Sequence, residues 1–72
     1  MKKLSVIIAS RHSTSISLEP EFIEELRDIA AKSNQTINEL VTKIDSERQQ
    51  ENLSSAIRVY ILKQLKNQAL RP

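Results

Sequence analysis

The stretch Ser13-Thr14-Ser15-Ile16-Ser17-Leu18-Glu19-Pro20-Glu21-Phe22 decides the fold of this 72-residue chain. Thr14, Ile16 and Leu18 alternate with Ser13, Ser15 and Ser17, which is strand periodicity with one apolar and one hydroxyl face. At Glu19-Pro20 the period changes, and Phe22, Ile23, Leu26, Ile29 and Ala30 recur at helical spacing. A strand therefore feeds directly into a helix. A lone strand leaves its hydrogen-bonding edges open, and pairing with the same strand of a second chain is the expected way to close them.

Working outward, Ser5 to Ile8 reads as a short strand, and the polar Ser10-Arg11-His12-Ser13 links it to the next. Pro20 suits the first helical position, and Glu21, Glu24 and Glu25 favour the positive end of the helix dipole. Asn34 can take the left-handed C-terminal cap in a chain without glycine. Thr36-Ile37-Asn38-Glu39 has the pattern of a capping box, opening a second helix with Ile37, Leu40, Val41 and Ile44 on one stripe. Asp45 to Asn52 is wholly polar. Asn52 or Ser54 then caps a third helix whose apolar residues cover more than one face, which predicts burial on two sides. The expected elements are strands over about 5–8 and 13–18 and helices over about 20–33, 36–49 and 54–67, in one domain, with a disordered end from Asn67.

Composition narrows the function. A chain this short has a thin core and ordinarily needs a disulfide, a metal or a partner subunit. It has no Cys and one His, so oligomerisation is the expected aid. The absence of Gly removes glycine-rich phosphate loops and dinucleotide fingerprints. His12 beside Ser13 is not a dyad, because adjacent strand residues face opposite ways. The reading is therefore not an enzyme, with no cofactor and no metal. No apolar run reaches the roughly 18 residues that span a bilayer, so no membrane partner is expected and the location reads as cytoplasmic. Net charge is +2, arranged as two basic ends around an acidic middle, which suits either an anion-binding face or solvated helices.

The order of strand, acid-started helix, short connection and capped helix resembles the ribbon-helix-helix family of DNA-binding proteins. The resemblance covers Ser13 to about Arg48. From Arg11 onward, Thr14 to Phe22, Glu25 to Ala30 and Asn52-Leu53-Ser54-Ser55-Ala56-Ile57-Arg58-Val59 resemble a subgroup of short bacterial members with an added third helix. The implied fold is α+β and mostly helical: a homodimer sharing an intermolecular antiparallel β-ribbon. In the family that ribbon enters the DNA major groove. The resemblance implies that Thr14, Ile16 and Leu18 face the core and that Arg11, Ser13, Ser15 and Ser17 face the bases. Thr36, Ile37 and Asn38, at the start of the second helix, would hold a backbone phosphate. Lys2, Lys3 and Arg58 would add attraction to phosphates. Related sequences tend to carry Arg just before the Thr-Ser pair, where this chain has Ser13, and a Ser hydroxyl discriminates little between bases. If the chain bends at Arg11, only three short hydroxyls remain on the ribbon.

The expected partners are double-stranded DNA and a second copy, in a transcriptional regulator. The alternative is a small dimeric protein-interaction module, antitoxin-like or an adaptor, docking a protein partner through the acids of the first helix and the Asp45–Glu51 stretch.

Overall fold

The computed structural model describes residues 1–49 and 51–69. Two strands, β1 (Lys2–Ile8) and β2 (His12–Leu18), precede three helices, α1 (Pro20–Lys32), α2 (Ile37–Glu47) and α3 (Leu53–Ala69). β1 and β2 form a two-stranded antiparallel hairpin within the chain, in a register running from Lys2 opposite Leu18 to Ile8 opposite His12. The strand expected to stand alone thus has one edge closed by its own neighbour. β1 starts at Lys2, three residues before the expected Ser5, because ladder bonds to β2 hold residues whose own sequence is too polar to announce a strand.

The turn between the strands is tight. The Arg11 N–H donates to the Ile8 carbonyl at 3.1 Å, and Ala9 and Ser10 both have positive φ, 54° and 58°. Positive φ at both central residues is the requirement of a type I′ turn, whose twist matches that of the flanking strands. Two non-glycine residues meet it here at a steric cost.

Each helix is bounded by local chemistry. Glu19 is extended, as a residue before proline must be, and Pro20 opens α1. Asn34 adopts φ 60°, while the N–H groups of Asn34 and Gln35 donate to the carbonyls of Ala31 and Ala30. That is a Schellman closure built on asparagine. The capping box of α2 is complete: the Glu39 N–H donates to Thr36 Oγ1 at 3.0 Å, and the Thr36 N–H donates to Glu39 Oε1 at 2.8 Å. Asn52 Oδ1 accepts the Ser55 N–H at 3.2 Å and starts α3.

The core lies between the hairpin and the helices. Val6, Ile16 and Leu18 from the sheet meet Leu26 and Ile29 of α1, Leu40, Val41 and Ile44 of α2, and Ala56, Ile57 and Ile61 of α3. Leu18, Leu26, Leu40, Val41, Ile57 and Ile61 are fully buried. Each large one contributes about 1.5–3 kcal/mol on removal from water. One chain therefore closes its own core. Within the single chain α3 is buried along one face, and Leu62 and Leu65 are exposed. α3 also continues through Asn67 to Ala69, where disorder was expected; Leu70, Arg71 and Pro72 lie outside the described residues.

Candidate nucleic-acid interface

The hairpin register sorts its side chains into two faces. Leu4, Val6 and Ile8 lie opposite Ile16, Thr14 and His12 on the side that meets the helices, and Lys2 pairs with Leu18 in the same alternation. Lys3, Ser5 and Ile7 lie opposite Ser17, Ser15 and Ser13 on the other side. Ser13 and Ser15 are exposed and Ser17 is half-buried. The expected hydroxyl face thus exists, widened by β1. Arg11 is not on it as a strand residue: it lies in the turn, exposed, with its backbone N–H committed to Ile8. The bend at Arg11 arises because Ala9-Ser10-Arg11 close the hairpin before the ladder begins at His12. Lys2 and Lys3, grouped in the sequence reading, fall on opposite faces.

The two edges of the sheet differ. The Ile7 N–H donates to Asn38 Oδ1 and the Ala9 N–H to Thr42 Oγ1, each at 3.0 Å. α2 thereby braces the turn-proximal end of the outer edge of β1. Because the Ile7 N–H points away from β2, Ile7 and Ser13 form a non-hydrogen-bonded pair, and so by alternation do Ser5 with Ser15 and Lys3 with Ser17. The backbone N–H and C=O groups of Ser13, Ser15 and Ser17 consequently point to the outer edge of β2. Among the described residues no group from another element bonds to them. β2 is open along Ser13 to Ser17, whereas β1 is braced by α2 at its turn end.

The side-chain carbonyl of Asn38, a residue expected to clamp phosphate, accepts the Ile7 N–H and braces β1, and the residue is exposed. The Thr36 hydroxyl and N–H are both engaged in the capping box, which sets the Glu39 carboxylate at the α2 N-terminus. Arg58 is engaged as well. Its Nε lies 3.0 Å from Glu19 Oε1, and its guanidinium stands 6.0 Å from the centroid of Phe22. The Glu19 carboxyl is held below the ordinary glutamate range, first by a hydrogen bond to its own backbone and then by the Arg58 guanidinium. This pair ties α3 to the β2–α1 junction. The bracing by Asn38 and Thr42 was missed in the sequence reading. Its signal was a polar pair at i, i+4 beside the apolar stripe of α2.

Residues 1–65 match the family described as ribbon-helix-helix domain. The chain belongs to the ribbon-helix-helix domain family. Comparison with curated proteins and with solved structures returned no match. Ribbon-helix-helix domains are typically DNA-binding or regulatory modules rather than enzymes. The match takes in β1, β2, α1, α2 and α3 as far as residue 65. No helix among the described residues is long and apolar enough to cross a membrane.

Proposed function

We propose that the protein is a dimeric DNA-binding regulator in which two copies join along β2 and present the hydroxyl face to the major groove. The observation that carries this reading is the open edge at Ser13, Ser15 and Ser17, beside a β1 strand whose turn end α2 already braces. An antiparallel union centred on Ser15 matches Ser13 of one copy to Ser17 of the other. Every outward N–H and C=O of that segment then finds a partner. The same serines carry hydroxyls that donate and accept but discriminate weakly between bases. Binding therefore leans on phosphates and groove shape, with sequence preference carried by Arg11 from the turn at each end.

Electrophoretic shift of genomic fragments at low salt tests the reading. Retardation that weakens steeply as salt rises supports it; the absence of any shift at low salt, where phosphate attraction is strongest, overturns it. Stoichiometric co-purification of a protein partner without nucleic acid favours the interaction-module alternative. The exposed Glu21 and Glu24 of α1 offer the surface for that reading. Asp28 and Asp45 are already paired with Lys32 and Arg48, which leaves that surface less acidic than the sequence suggested.

A further inference from the structure

We infer that β1 turns the shared ribbon into a four-stranded sheet wider than the groove, with Lys3 set over the phosphate wall on each side. The inference rests on the DNA-binding reading above and concerns how the sheet meets the duplex.

Two copies joined at β2 give the strand order β1, β2, partner β2, partner β1, with α2 braced against the turn end of each outer strand through the N–H groups of Ile7 and Ala9. Neighbouring strands lie about 4.8 Å apart, so the outer strand axes are about 14 Å apart. The major groove is about 12 Å wide and admits a two-stranded ribbon. The central pair fits between the walls and the β1 strands do not. They stand above the phosphates that line the groove.

On β1 the face turned toward DNA carries Lys3, Ser5 and Ile7. Only Lys3 bears a charge. It is exposed, and among the described residues it forms no ion pair. The register sets it opposite Ser17, so a two-fold axis at Ser15 carries the two Lys3 ammonium groups to diagonally opposite corners of the sheet. Each meets one strand of the duplex. Lys2, one residue away, lies on the reverse face and does not. The contact reads no base: it makes binding depend on groove width and salt rather than sequence.

The test measures the salt dependence of binding to two unrelated duplexes for the wild type and for Lys3→Ala, Lys2→Ala and Ser5→Lys. Removing two phosphate contacts per dimer lowers the log–log salt slope by about 1.8, so that the affinity lost between about 50 and 200 mM salt shrinks about tenfold. Lys3→Ala is expected to do this equally on both duplexes, Lys2→Ala to leave the slope unchanged, and Ser5→Lys to steepen it by a similar amount. Wild-type binding with an unchanged slope in Lys3→Ala overturns the wall contact and leaves the DNA-binding reading standing. Equal effects from Lys2→Ala and Lys3→Ala also overturn it, since the lysines would then act as diffuse charge. A wild type that binds neither duplex at low salt removes both.

Discussion

Asn38 Oδ1 accepts the backbone N–H of Ile7 at 3.0 Å, across 31 positions of the chain. Together with the Thr42–Ala9 bond it fastens the turn end of β1 to α2. Replacing Asn38 or Thr42 by Ala should each cost about 0.5–1.5 kcal/mol, the worth of one hydrogen bond. Urea unfolding at fixed protein concentration measures it. Stability unchanged in both variants would show that these bonds do not hold β1.

The hairpin turn sets two non-glycine residues at positive φ, Ala9 and Ser10. Asn-Gly is the pair best suited to both positions. The double replacement Ala9→Asn with Ser10→Gly should raise stability by about 1 kcal/mol, seen as a higher denaturation midpoint with an unchanged slope. A lower midpoint would contradict the turn geometry.

Much of this arrangement was legible in the chain. The hydroxyl–apolar alternation of Ser13 to Leu18, Pro20 at the start of α1, the cap at Asn34 and the capping box at Thr36 are local signals, and the fold realises each one. What could not be read was long-range. The union of β1 with β2 and the bracing of Ile7 by Asn38 join residues whose partners no window of sequence contains. Whether Arg11 extends the strand or lies in a bend was open in the sequence, because a type I′ turn normally announces itself with Asn or Gly and Ala9-Ser10 does not; the fold places Arg11 in the turn. Arg58, expected to add attraction to phosphates, meets Glu19 only once α3 folds back.

Glu39 occupies the α2 N-terminus with a negative charge where the family resemblance expects a phosphate. Glu39→Gln keeps an oxygen for the Thr36 N–H and removes the charge. If phosphate approaches this end, binding should tighten by about two- to fivefold per site, since helix-terminal charges are worth about 0.3–1 kcal/mol. Titration at low salt reads the change. Equal affinities would place the DNA backbone away from α2.

Glu19 and Arg58 make stability depend on acid. The folded-state pKa of Glu19 lies below its unfolded value. Its contribution is present above the unfolded value and is lost as pH falls through the folded value. Glu19→Gln should therefore be less stable than the wild type at neutral pH and lose less on acidification below that point. Parallel pH profiles for the two proteins would contradict the link.

The most direct measurement is sedimentation of the wild type and Ser15→Pro at micromolar concentration, with circular dichroism on both. The Ser15 N–H faces away from β1, so proline there spares the hairpin and blocks the open edge. The expected result is a wild-type dimer and a folded Ser15→Pro monomer; a wild type that sediments as a folded monomer would contradict the account.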